Sequence, residues 1–156
     1  MLRPVYDNET LGGNNPSVLF MGILPSSALS GNQLISSTGF RQNKVTDVNL
    51  TLNGNSVNGY PMAIKHENCV FPLRLFNDVT NRYMNPLCGD VMNIATFQSN
   101  WLYSHNFEAE ATSQGWIGVQ LKTSAPFVEP ATLVIWTVSR HKITIDRYHQ
   151  VEKMVL

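Results

Sequence analysis

The sequence predicts an all-β protein, a sandwich or barrel with one short helical insertion. Three observations predict it. Residues 116–146 hold three strand-like runs in succession, with a Ser124-Ala125-Pro126 turn after the first and a polar break near Arg140. Antiparallel sheets leave that mark, because each strand needs an edge partner and a short return. Residues 44–53 alternate cleanly, with Val48, Leu50 and Leu52 on one face and Asp47, Asn49 and Thr51 on the other. A period of two with one polar face is the pattern of a half-buried strand. Finally, strands and helices never alternate along the chain, which excludes a parallel α/β sheet.

The elements follow in order. Residues 1–16 are polar and rich in Gly and Asn, ending in Gly12-Gly13-Asn14-Asn15-Pro16, and read as a flexible N-terminal arm without structure of its own. Residues 17–156 then form a single domain. Ser17–Leu24 is a short continuous apolar run stopped by Pro25, the length of a strand buried on both faces. Residues 26–40 are Ser-, Gly- and Asn-rich and read as a long loop with one edge strand around Gln33–Ser36. The strand at 44–53 runs into Asn53-Gly54, the strongest short-range hairpin signal, and residues 57–62 supply the return. Phe71, Leu75, Val79 and Tyr83 recur every fourth residue, Pro72 suits a first helical turn and Asn85-Pro86 ends the pattern. These predict one amphipathic helix near 72–84. After a loop at 85–96, Trp101, Tyr103, His105 and Phe107 alternate with Leu102, Ser104 and Asn106. Ile117, Val119 and Leu121 then alternate with Trp116, Gly118 and Gln120. Residues 132–138 form an apolar run of β-branched and aromatic side chains, and Lys142–Asp146 closes the set.

Composition narrows the function. The chain has 156 residues, enough for one domain with a real core. Its apolar fraction is 43% and its charged fraction 14%, which argues against disorder and for much buried surface. Eleven basic residues balance eleven acidic ones, so no basic stripe for sequence-specific nucleic-acid binding is expected. No apolar run reaches the length of a membrane span, and the N-terminus lacks the apolar region of a secretory signal. The sequons at Asn8 and Asn49 therefore read as accidental, the second lying inside a strand pattern. Cys69 and Cys88 allow a disulfide, a metal site or two isolated thiols. Without a CxxC pairing the last is the expectation.

Candidate chemistry is sparse. The four histidines are His66, His105, His141 and His149, and none has the His-x-His spacing of a cupin-type metal enzyme. His105 with Glu108 or Glu110 comes nearest, and its aromatic neighbours favour a core-edge histidine. No Gly-x-Ser-x-Gly elbow occurs, neither cysteine has a histidine partner motif, and Gly12-Gly13 lacks the Lys-Ser/Thr of a phosphate loop. His141, Lys142, Asp146 and Arg147 read as a solvated or interface charge ladder. Glu108 and Glu110 read as solvating carboxylates on one strand face. Trp101, Tyr103, Trp116 and Trp136 are the residues that a sugar-binding face would use, but three tryptophans in a small sandwich more often anchor a core or an interface. The expectation is no catalytic residue, no metal ligand and no cofactor.

Several stretches together resemble a known family. Ser17–Leu24, Val45–Val57, the helix near 72–84 and the ending from Gly115 to Arg147 follow the order and spacing of the C-terminal jelly roll of hexon-like, double jelly-roll major capsid proteins, especially the Polinton and adintovirus types. In that ending Gly115, Ile117, Val119, Leu121, Glu129, Pro130, Leu133–Trp136, Ile143, Ile145, Asp146 and Arg147 occupy the family's places. The resemblance covers residues 17–151. The family carries two jelly rolls in tandem, whereas this sequence has room for one. The resemblance implies a jelly-roll sandwich of about eight strands. It also implies a structural subunit of an icosahedral capsid, a non-enzyme acting by self-assembly and located in the virion. Its implied partners are other copies of itself or a second jelly roll in trimeric capsomers, with penton or minor capsid proteins beyond them. The arm at 1–16 would then reach a neighbour, and the loops at 25–43 and 85–96 would sit at barrel ends. A jelly-roll carbohydrate- or protein-binding module is the alternative.

Overall fold

A computed structural model describes residues 5–14, 16–31, 34, 36–41, 44–65, 69–83, 90, 92–109, 114–139, 141–145 and 151–155. Its elements are β1 (Val5–Asn14), β2 (Val18–Pro25), α1 (Ser26–Leu29), β3 (Val45–Leu52), β4 (Asn55–Ser56), β5 (Met62–Ala63), α2 (Val70–Tyr83), α3 (Ile94–Ser99), β6 (Leu102–Asn106), β7 (Gln114–Thr123), β8 (Ala131–Val138), β9 (His141–Ile145) and β10 (Val151–Val155). All strand pairs are antiparallel. One sheet runs β1-β7-β3-β4, with β5 also on β3, a second runs β6-β2-β8, and β9 pairs with β10. The chain is an all-β sandwich with few short helices, as its patterning predicts.

The two main sheets share one core. β3 contributes Val45, Val48, Leu50 and Leu52, and β7 contributes Ile117, Val119 and Leu121. From the facing sheet come Leu19, Met21 and Ile23 of β2 with Trp101, Tyr103 and Phe107 on and beside β6. The alternation in residues 44–53 becomes the burial pattern of β3, whose Asp47, Asn49 and Thr51 lie on the wetter face. On that face the Asn49 amide donates to Gln120 Oε1 and accepts from Ser56 Oγ.

β2 is buried along its whole length, because a third layer covers its other face. Phe20 meets Phe76 of α2 edge-on at 5.9 Å, and Phe40 lies directly over Gly22, where a Cβ would collide with its ring. Glycine is thus required at 22 by space, not by backbone angle. The helix turns Pro72, Leu73, Phe76, Asn77, Val79 and Thr80 inward. Two of these are polar and are satisfied locally. Thr80 Oγ1 donates back to Phe76 O at 2.8 Å. The Asn77 amide donates to Met92 O at 2.9 Å and accepts from Met92 N–H at 3.1 Å, tying the chain after the helix to the helix itself.

The Asn53-Gly54 turn forms as expected. Both residues have positive φ, 52° and 81°, and Leu52 pairs with Asn55 across the turn. This left-handed pair matches the twist of a two-residue hairpin. Asn53 does more than turn the chain. Its N–H donates to Trp116 O and its Oδ1 accepts from Trp116 N–H, both at 2.9 Å, and its side chain sits against Gly115.

Some expectations need correction. The segment 1–16 is not without structure, because residues 5–14 form β1 on the free edge of β7, with a register shift between Glu9 and Leu11. Here the partner strand supplies the order that Gly12, Gly13 and the asparagines do not. The hairpin return is short: β4 is two residues, and β5 rejoins β3 only at Met62. Residues 94–99, which begin inside the expected loop at 85–96, form α3, capped by Asn93 Oδ1 accepting from Thr96 N–H. β10 adds a strand beyond the expected last one. In the expected edge strand at 33–36, Gln33 and Ile35 lie outside the described residues.

Removing core volume at Leu50 should therefore destabilise sharply. Leu50→Ala is expected to cost about 2–5 kcal/mol, whereas Thr51→Ala on the opposite face should stay within about 0.5 kcal/mol. Urea denaturation of the two variants measures the difference. Asn53→Ala removes a hydrogen bond and a residue that tolerates the left-handed region, and should cost about 1–2 kcal/mol by the same assay.

Candidate functional site

The sharpest chemical hypothesis in the sequence centres on His105, and the structure places it inside the core. It is 6% exposed. Its ring meets Phe107 edge-on at 4.7 Å and Tyr60 edge-on at 5.5 Å. Tyr60 in turn donates its hydroxyl to Ser104 O at 3.1 Å, joining the chain after β4 to β6. Glu108 sits in a short 3-10 turn, Phe107–Ala109, and is exposed, so it is not on the strand face expected of it. Glu110, His66, His149, Asp146 and Arg147 lie outside the described residues, as does Cys88. Cys69 is a buried free thiol. Among the described residues no three His, Cys, Asp or Glu side chains gather where a metal ion could be held.

The aromatic residues are not brought to one face. Trp101 and Tyr103 are each 1% exposed and belong to a buried cluster of tilted rings, Phe97 against Trp101 at 5.3 Å and Trp101 against Tyr103 at 6.3 Å. Trp116 and Trp136 are exposed, but they stand on β7 and β8, in different sheets. A sugar platform needs adjacent, exposed, roughly coplanar rings, and these four residues do not form one.

Among the described residues, two surface depressions stand out. The first, about 170 Å³, is lined by Pro25, Arg41, Lys44, Phe127, Val128 and Glu129. It falls below the few hundred cubic ångströms that drug-sized ligands occupy. Arg41 and Lys44 reach it because Lys44 enters β3 at φ 59° and its carbonyl accepts from Ser124 N–H at 2.9 Å. Sequence reasoning missed this pair, since nothing local links residues 41–44 to Glu129. The second depression, about 570 Å³ and open, lies between α2 and α3 and is lined by Leu73, Asn77, Asp90, Met92 and Ile94. Asn77 already spends its amide on Met92, and Asp90 is the sole titratable residue among the described lining residues. Neither depression brings together convergent polar groups suited to catalysis. No helix among the described residues is long and apolar enough to cross a membrane.

Comparisons with protein-family models, with curated proteins and with solved structures find no match.

Burial raises the pKa of Tyr60 and of Tyr103 well above the ordinary phenol value, with Tyr103 adding to the effect on Tyr60. A group whose folded pKa is raised gives stability that is complete below its unfolded pKa, about 10. That stability is lost as pH rises toward the folded value. Stability in urea should accordingly fall above about pH 10, and absorbance at 295 nm should show these two of the five tyrosines ionising only on unfolding. The two hydroxyls differ in partners. Tyr103 has none among the described residues, so Tyr103→Phe should be neutral or stabilising. Tyr60→Phe should cost about 0.5–1.5 kcal/mol.

Proposed function

We propose that this chain is a structural subunit of an icosahedral viral or virus-like capsid, a hexon-like jelly-roll protein that acts by self-assembly. The observation that carries the reading is the nesting of its strand pairs. β3 pairs with β4, β2 pairs with β6 around them, and β1 pairs with β7 around those. Such nesting is a long antiparallel ribbon. The pairs β7 with β3 and β8 with β2 join strands of neighbouring turns, and β5 adds a short pair on β3. A rolled antiparallel ribbon is the plan on which the jelly rolls of capsid and lectin domains are built, and the nested pairs support that reading.

The resemblance supports the same reading. Its places at Gly115–Leu121, Leu133–Trp136 and Ile143–Ile145 fall on β7, β8 and β9 in succession. A sandwich of two sheets about 10 Å apart is a stiff body. Stiff bodies tile closed shells by repeated contacts, and a net charge of zero lets copies approach without mutual repulsion. The core spends Phe97, Trp101 and Tyr103 on packing, as a stiff wall protein requires. The proposed assembly unit is a trimeric capsomer of upright barrels, with other copies or a second jelly roll as neighbours.

Light scattering and negative-stain microscopy over a range of protein concentrations test the proposal. Trimers or larger shell-like particles are expected. A strict monomer at every concentration overturns it, as does a stoichiometric transition metal bound by the purified protein. A glycan array should give no specific hits; a reproducible one would transfer the assignment to the carbohydrate-binding module.

A further inference from the structure

Four strand edges bound the two main sheets, and three of them are protected. β6 packs against α2, which contributes Phe76 and Val79 to the core beside it. The edge beyond β3 is made by β4 and β5, two residues each. β1 carries Asp7, Glu9, Gly12 and Gly13 and breaks register between Glu9 and Leu11. Covering, brevity, charge and bulging are the devices by which proteins keep sheet edges from pairing with other chains.

β8 uses none of them. It runs eight residues, Ala131–Val138, with no charge, no proline, no glycine and an unbroken register against β2. Nor is the core closed beneath it. Leu133 and Ile135 face the core beside Ile23 and Met21, yet they remain only half-buried while Ile23 and Met21 are 2% and 0% exposed. In the rolled ribbon, the position beside β8 belongs to one more antiparallel strand, and no described residue of this chain takes it. Both the backbone groups and the apolar side chains at this edge call for the same occupant, an uncharged extended strand.

We infer that β8 pairs edge to edge and antiparallel with β8 of a second copy, making a six-stranded sheet β6-β2-β8-β8-β2-β6 across a two-fold axis. The second copy is the occupant because β8 is complementary to its own image. It carries no charge to repel that image, and the β-branched Thr132, Val134 and Ile135 suit cross-strand pairs. An isologous contact of this kind closes after two copies. The inference rests on the sheet edges and stands apart from the shell proposal.

Sedimentation velocity of the full chain across a concentration series tests it. Wild type should be a monomer–dimer equilibrium. Val134 lies mid-strand on the face away from the sandwich core, opposite Gly22, so Val134→Lys sets like charges near each other across the two-fold. It should raise the dimer dissociation constant at least tenfold, whereas Val134→Thr, still β-branched and uncharged, should leave it within threefold. Far-ultraviolet circular dichroism checks that both variants fold. Amide exchange in 131–138 should slow as wild-type concentration rises and not in Val134→Lys. A monomer at all concentrations, or equal dimerisation of the Lys and Thr variants, overturns the inference. Dimers without particles would uphold it while removing the shell proposal.

Discussion

The whole arrangement depends on β2 being buried on both faces. Antiparallel sheets usually keep one face wet, and continuous apolar strands belong to sheets covered twice. Here the sheet β6-β2-β8 is a middle layer. Leu19, Met21 and Ile23 meet the sheet of β3 and β7, while Phe20 and Gly22 meet α2 and Phe40. The helical insertion is therefore a structural lid on the middle sheet. Without α2, Phe20 and the buried Ser104 beside it would face water, and β2 would be an exposed apolar ribbon.

That layering explains which polar groups the interior tolerates. Two buried polar side chains find their partners in nearby backbone, Thr80 in its own helix and Asn77 in Met92. Tyr60 reaches the carbonyl of Ser104, and His105 is ringed by Tyr60 and Phe107. Such groups fix geometry and register without presenting a reactive atom to solvent. A core made this way is hard to convert to chemistry, because any nucleophile or ligand placed in it would be desolvated on all sides.

Much of this was legible in the sequence where the signal is local. β3 and its Asn-Gly turn follow from alternation and from two residues that accept positive φ. α2 follows from apolar spacing closed by Asn85-Pro86, and β2 from a run too short for a buried helix. β1 was illegible because its order is borrowed: Gly12, Gly13 and Asn14 have little strand preference, and β7 supplies the ladder. α3 was hidden by its length, six residues held by one Asn93 cap and one buried Phe97. Of the candidate site residues, His105 was read rightly as a core-edge histidine. The Arg41–Lys44–Glu129 depression was invisible because its members meet only through tertiary folding.

The same middle layer links the core to the bare edge. Phe40 rests on Gly22 and packs edge-on against Trp136 at 5.1 Å, so the end of the 26–40 loop, β2 and the outer face of β8 form one contact group. Arg41 N–H donates to Ile23 O, and Trp101 N–H donates to Phe40 O, pinning that loop to β2 and to the start of β6. Any side chain at 22 would drive Phe40 outward into Trp136 and so disturb β8 from beneath. The outer face of β8 is thus held by packing on its neighbour β2, and the readiness of this edge to pair depends on the core as well as on β8 itself. A protein whose stiffest, driest layer ends in an uncharged and uncovered strand is organised to continue that layer in another molecule.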